Sequence, residues 1–76
     1  MIYTAITAET WTKVSDPTTD ILVVKPQFPT TFQFSFGEPN AGESGFSATE
    51  VVLNTGCTEE LWVYCTGSTT MIVGTP

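Results

Sequence analysis

The fold is decided by the stretch Glu60-Leu61-Trp62-Val63-Tyr64-Cys65-Thr66-Gly67. It is the longest unbroken run of strand-favouring residues in the chain, and it ends in Thr-Gly, which is typical of a turn. Successive side chains of a strand point to opposite faces. Leu61, Val63 and Cys65 therefore share one face, which we interpret as core, and Trp62 and Tyr64 share the other. This stretch is expected to be a central strand.

Short segments of the same kind fill the rest of the chain. Residues 30–36 alternate cleanly and place the three phenylalanines of Phe32-Gln-Phe-Ser-Phe36 on one face. Residues 21–24 are apolar on both faces, which is typical of an interior strand. Because no helical period of useful length appears, the sequence predicts one all-β domain over residues 1–76. We expect a small antiparallel β-sandwich or partly open barrel of six to seven short strands.

Several boundaries follow from turn chemistry. Residues 1–8 are expected to form an N-terminal arm or a first edge strand, and residues 37–45, rich in glycine and acidic side chains, an exposed loop. Two prolines should break the strand ladder within Lys25–Pro29. Residues 46–53 are expected to form one strand. Residues 61–65 and 70–73, separated by Gly67-Ser68, should form a hairpin.

The alternation assigns side chains to a core and to an interface. The predicted core consists of Ile21, Val23, Phe32, Phe34, Phe36, Val51, Leu53, Leu61, Val63, Cys65 and Ile72. The predicted protein-interface residues are large and lie outside that core: Ile2, Tyr3, Trp11, Trp62 and Tyr64. A sugar-stacking role for Trp11, Trp62 and Tyr64 and a second core layer are the alternatives, since large aromatics are common in interfaces and cores alike.

Size and charge limit the partners. A chain of 76 residues buries only about 60% of its unfolded surface, so we expect it to associate with other chains. The net charge is −6, with only two lysines and no arginine. Binding to nucleic acid phosphates or to an anionic membrane needs a basic patch, so neither partner is expected. No run approaches the roughly 20 apolar residues of a spanning helix, and no secretion signal is recognised.

The residue types argue against catalysis and against metal or cofactor binding. Histidine is absent, which removes Ser-His and Cys-His nucleophiles. The carboxylate pairs Asp16/Asp20, Glu38/Glu43 and Glu59/Glu60 lie in predicted turns or loops, where solvated acids are ordinary. Two cysteines are too few for zinc. Cys57 and Cys65 could be bridged, but we favour a free, buried Cys65 because no oxidising compartment is indicated.

A family resemblance joins two parts of the chain. The segments are Trp11-Thr-Lys-Val-Ser15, Ile21-Leu-Val-Val24, Leu61-Trp-Val-Tyr-Cys-Thr-Gly67 and Met71-Ile-Val73. In this order the chain resembles the small all-β virion proteins of tailed bacteriophages, of the type that decorates or cements the head. The resemblance extends over residues 11–73. It implies a structural protein of the virion that is made in the host cytoplasm and acts in many copies, assembled as dimers or trimers, on the outer surface of the head.

The expected function is therefore that of a capsid decoration or cement protein that bridges subunits of the major capsid protein. The first alternative is a glycan- or receptor-binding module of a head or tail fibre. The second is a tail-tube or connector component. An enzyme ranks last.

Overall fold

A computed structural model of the chain describes residues 2–40, 44–54 and 58–74. Within these ranges the regular structure is entirely β. The strands are β1 (Ile2–Ile6), β2 (Thr12–Ser15), β3 (Leu22–Pro26), β4 (Phe32–Phe36), β5 (Phe46–Ala48), β6 (Val51–Leu53), β7 (Leu61–Tyr64) and β8 (Thr69–Gly74).

The strands form two antiparallel sheets of four. Sheet A has the order β1-β8-β3-β6, and sheet B has the order β2-β7-β4-β5. Only β4 and β5 follow one another within one sheet, so every other connection crosses between the sheets. The prediction of an antiparallel sandwich is confirmed, with eight strands in place of six or seven.

The pairing has a simple origin. Strand β1 pairs with β8, β2 with β7, β3 with β6 and β4 with β5, as they would in one long hairpin. Rolling up that hairpin adds the contacts of β3 with β8 and of β4 with β7. Two sheets linked in this way form an eight-stranded jelly roll. Strands β7 and β8 are each interior, which confirms the central position expected for Leu61–Tyr64.

One apolar layer lies between the sheets. Its buried side chains are Ile6, Val14, Leu22, Val24, Phe32, Val51, Leu61, Val63, Cys65, Met71 and Val73. Phe34, Ala48 and Leu53 are partly buried against it. Five predicted core residues are thus fully buried: Phe32, Val51, Leu61, Val63 and Cys65. Phe34 and Leu53 lie at the margin of this core.

The core prediction is wrong for four residues. Ile21 precedes β3 and is 45% exposed, and Phe36 lies where β4 leaves the sandwich and is 41% exposed. Val23 and Ile72 are only partly buried, because Leu22 and Val24 in β3 and Met71 and Val73 in β8 point inward. Both strands are apolar on both faces, so alternation could not decide which face is internal.

Two boundary predictions are also wrong. Residues 61–65 and 70–73 do not form a hairpin, since β7 belongs to sheet B and β8 to sheet A. Residues 46–53 are not one strand, because the chain passes from sheet B to sheet A between β5 and β6. Residues 2–6 form an edge strand paired with β8, which is one of the two forms expected for residues 1–8. Of the expected loop at 37–45, residues 41–43 lie outside the described residues; 37–40 and 44–45 contain no strand.

Strand β3 ends within Lys25–Pro29, as expected, although Pro26 itself is still paired. Pro26 is the last residue of β3 and is buried opposite Met71. The next residue, Gln27, donates its backbone N–H to the carbonyl of Thr70 at 2.8 Å. Because alternate residues of a strand point their N–H groups to opposite sides, the nitrogen of Pro26 faces away from β8, toward β6. Strand β6 starts at Val51, opposite Val24, so no pairing is lost there.

Candidate functional site

An apolar surface covers the outer face of sheet A. The strand register places Tyr3 opposite Ile72, and Ile72 in turn opposite Lys25. A second row places Val23 opposite Val52. Tyr3 is 60% exposed and Val52 is 50% exposed. We call Tyr3, Val23, Val52 and Ile72 the sheet A surface; it extends over all four strands.

A single charged side chain, Lys25, projects from these rows. It is exposed and makes no ion pair within the part of the chain that the structure describes. In a protein of net charge −6, the sheet A surface is thus apolar, with the exposed Lys25 within its rows and Glu50 at its β6 edge. An apolar partner carrying a carboxylate would complement it.

The other lysine is already paired. The Nζ of Lys13 lies 2.8 Å from Oδ1 of Asp16 and 3.5 Å from Oε2 of Glu60. The hydrogen bond and charge of Asp16, with a smaller effect of Glu60, raise the pKa of the Lys13 amine. The ion pair with Glu60 connects β2 to the residue that precedes β7.

Three of the predicted interface aromatics come together on the outer face of sheet B. The rings of Trp11 and Tyr64 pack with their centroids 5.4 Å apart and their planes tilted by 45°. Trp62 lies on the same face, opposite Lys13 and Ser35. All three rings are partly buried. A tilted, partly covered pair offers less flat area to a ligand than a coplanar platform would.

The other two predicted interface residues lie elsewhere. Ile2 and Tyr3 are both in β1, at the edge of sheet A, and Ile2 is 63% exposed. The five residues therefore do not form one surface. Sheet B carries three of them, and the edge of sheet A carries two.

An apolar groove of about 520 Å³ opens beside β5 and β6. Phe34 lies at its base, with its ring centroid 5.6 Å from that of Phe46 and 5.8 Å from that of Phe36. Phe46 is 65% exposed. Glu50 is the acidic residue of the groove, which is otherwise lined by apolar and small side chains. Val52 belongs both to this groove and to the sheet A surface.

A second cleft, of about 420 Å³, brings together Asp16 and Asp20. Lys13 also lines it, and its ion pair neutralises Asp16. Within the described residues there is no group of three or more side chains able to hold a metal ion. The remaining predicted carboxylate pairs are Glu59/Glu60, of which Glu60 is paired with Lys13, and Glu38/Glu43, of which Glu43 lies outside the described residues.

The Cys65 thiol is free and buried, and desolvation raises its pKa. A raised pKa keeps the thiol protonated and poorly nucleophilic, so Cys65 behaves as a small core residue. Cys57 lies outside the described residues.

Comparisons of the chain with protein-family models, with curated proteins and with solved structures give no match. The described residues contain no helix with the length and apolar character that a membrane span requires.

Sequence reasoning missed the sheet A surface because it assigned Val23 and Ile72 to the core. A signal was available. Residues 21–24 and 71–73 are apolar on both faces, whereas an antiparallel sheet with one solvated face should alternate. Strands of that kind require cover on both sides.

Proposed function

We propose that this chain is a structural virion protein, a decoration or cement protein that binds the outer surface of a bacteriophage head and bridges neighbouring subunits of the major capsid protein. The observation that carries the proposal is the sheet A surface, where the interior strands of a very small domain turn a second apolar face outward. Contiguous apolar surface of this kind is typical of protein–protein contact sites.

The geometry favours a protein partner over a small ligand. The four side chains of the sheet A surface lie on the outside of a sheet, so they form a broad face rather than an enclosed cavity. Small-molecule sites are concave and bury most of their ligand. A broad apolar face instead matches the buried centre of an interface between proteins.

Head binding would use this face in many copies. Each bound copy would remove apolar area from water at a joint between shell subunits, which stabilises the joint by the part of that gain that exceeds the cost of association. Glu50 lies in the groove beside Val52, whereas Asp16 and Asp20 line the opposite edge of the sandwich. They would keep the bound layer soluble and repel nucleic acid. The resemblance of residues 11–73 to phage head proteins supports the same function.

The test is to mix purified protein with undecorated heads and to locate bound density by electron microscopy. The Val52→Asp variant places a carboxylate on the sheet A surface and should abolish binding. The matched control is Ser47→Asp, which adds the same charge to an exposed position of a three-residue edge strand in sheet B. Wild-type protein that leaves heads undecorated would refute the proposal. Loss of binding with Ser47→Asp alone would indicate that the docking surface lies on sheet B.

A second candidate function rests on the aromatic face of sheet B. Trp11, Trp62 and Tyr64 share that face with Gln33 and Ser35, so aromatic rings and polar groups adjoin as they do in glycan-binding modules. A glycan array compares the wild-type protein with Trp62→Ala. Binding that Trp62→Ala removes would favour a receptor-binding module; binding that persists, or its absence, would exclude this role for the three rings.

A further inference from the structure

The four edge strands of the sandwich differ in how they are protected against pairing with another chain. Strand β2 carries Lys13 and an irregularity in its register between Lys13 and Ser15. Strands β5 and β6 are only three residues long, and Glu50 lies between them. Charges, bulges and very short length are the devices that keep sheet edges from associating.

Strand β1 has none of these devices. Its five residues, Ile2-Tyr3-Thr4-Ala5-Ile6, contain no charge and no proline, and their register against β8 is regular. Ile2, Tyr3 and Ala5 are exposed. A long, regular, uncharged edge is the kind of strand that accepts a partner strand.

The free hydrogen-bonding groups of β1 can be identified from its neighbours. The bond from Gln27 to the Thr70 carbonyl directs the backbone groups of Thr70 and Ile72 toward β3. Those of Met71 and Val73 therefore point toward β1, where they meet Thr4 and Ile2. The N–H and C=O groups of Tyr3 and Ala5 are left pointing outward.

We propose that β1 pairs with β1 of a second copy of this chain, antiparallel, about a two-fold axis at Thr4. In this register Tyr3 of each copy lies opposite Ala5 of the other. Each of those residues has an outward N–H and an outward C=O, so four backbone hydrogen bonds form. The Tyr3 ring covers the Ala5 methyl group across the pair. The result is one sheet of eight strands whose outer face joins the two sheet A surfaces.

The charge distribution favours a second copy as the occupant. Two molecules of net charge −6 repel one another wherever their carboxylates approach. An edge without charged side chains is where such copies can meet with least repulsion. The strand is also self-complementary, as an isologous contact requires, because its two outward-facing residues are placed symmetrically about Thr4. The inference is independent of the proposed function, since it concerns the free protein.

Sedimentation velocity of the full chain over a concentration series tests the pairing. We expect a monomer–dimer equilibrium. Ala5→Pro removes an N–H that points outward and should leave the ladder with β8 intact, since edge strands tolerate such a proline. Each dimer loses two donors, so its dissociation constant should rise by roughly 30-fold or more. Tyr3→Lys, a charge on the same edge, should also weaken the dimer.

The control is Ser47→Asp, on an edge strand of sheet B, which should leave the dimer unchanged. Circular dichroism verifies that each variant is folded, and mixed isotope labelling should give intermolecular contacts between Tyr3 and Ala5. A wild-type protein that is monomeric throughout, or a dimer that persists in both Ala5→Pro and Tyr3→Lys, would overturn the pairing. The sedimentation experiment contains no phage heads, so its outcome is independent of head binding, which Val52→Asp tests.

Discussion

Gly45 lies directly against the ring of Trp11. A Cβ atom built on Gly45 would be 2.7 Å from Cη2 of Trp11 and would also collide with the carbonyl oxygen of Phe34. The N–H of Gly45 donates to Oε1 of Gln33 at 3.2 Å, which holds the residue against β4. The aromatic face of sheet B is thus completed by a backbone that approaches the indole closely.

Replacing Gly45 with alanine should therefore destabilise the protein. The added methyl group forces Trp11 or the β4 backbone to move, and overpacking of this kind costs about 1–3 kcal/mol. Urea unfolding followed by tryptophan fluorescence measures the change. Gly67→Ala is the control, since no atom lies within 4 Å of its built Cβ and its φ is not left-handed. It should be neutral or stabilising by up to about 1 kcal/mol. Equal effects of the two substitutions would contradict the packing around Gly45.

Two phenylalanines of β4, Phe32 and Phe36, should differ sharply in their contribution to stability. Phe32 is 2% exposed, and Phe32→Ala should cost about 3–5 kcal/mol because it leaves a cavity in the core. Phe36 points to the same side of the same strand but is 41% exposed, so Phe36→Ala should cost well under half as much. Urea unfolding midpoints, compared at a constant slope of unfolding free energy against urea concentration, give both losses of stability. Similar losses for the two would mean that Phe36 is buried in solution.

Trp62 carries an unusual polar group. Its indole N–H is inaccessible to solvent and has no hydrogen-bond acceptor in the described structure. An unpaired buried donor costs about 1–3 kcal/mol, and phenylalanine would remove it while keeping an aromatic ring. Trp62→Phe should therefore leave the free energy of unfolding in urea nearly unchanged, because removal of the unpaired N–H offsets the packing that the smaller ring loses. A loss above about 3 kcal/mol would show that the indole N–H is satisfied.

The buried thiol predicts a pH dependence. Burial raises the pKa of Cys65 above its ordinary value of 9.0, so the folded state retains a proton that the unfolded state loses. The stabilisation is fully present below pH 9.0 and is lost as the pH rises from there through the folded-state pKa. Unfolding free energies of the wild type should fall more steeply over this window than those of Cys65→Ala. Parallel curves of unfolding free energy against pH for the two proteins would contradict the raised pKa of Cys65. Any contribution of Cys57 is the same in both proteins and cancels in the comparison.

Strict alternation predicted the parts of the fold where it occurs. Phe32, Phe34 and Phe36 do share a face, and Leu61, Val63 and Cys65 are buried on an interior strand. The pattern works there because the two faces differ: polar against phenylalanine in β4, and aromatic against aliphatic in β7. Where both faces are apolar, as at Val23 and Ile72, the pattern has no preferred phase, and the assignment came out reversed.

Strand pairing was less predictable than strand position. Residues 61–65 and 70–73 have the spacing of a hairpin, yet each pairs with strands far away in the chain. Local turn chemistry cannot distinguish a reversal within one sheet from a crossing to the other. For the same reason Ile2 and Tyr3 could not be separated beforehand from Trp11, Trp62 and Tyr64, which lie on the other sheet.

The rolled pairing of the strands also sets an order of events during synthesis. Residues 61–74 supply an interior strand to each sheet, and β1 and β2 have no other partners than β8 and β7. A nascent chain that ends before residue 61 can form only the pairs β3–β6 and β4–β5. The two strands made first must therefore wait, unpaired, until the ribosome has delivered the segment that the rest of the sandwich closes around. Folding of this domain should be slow for its size and cannot be complete until residues 61–74 have been synthesised.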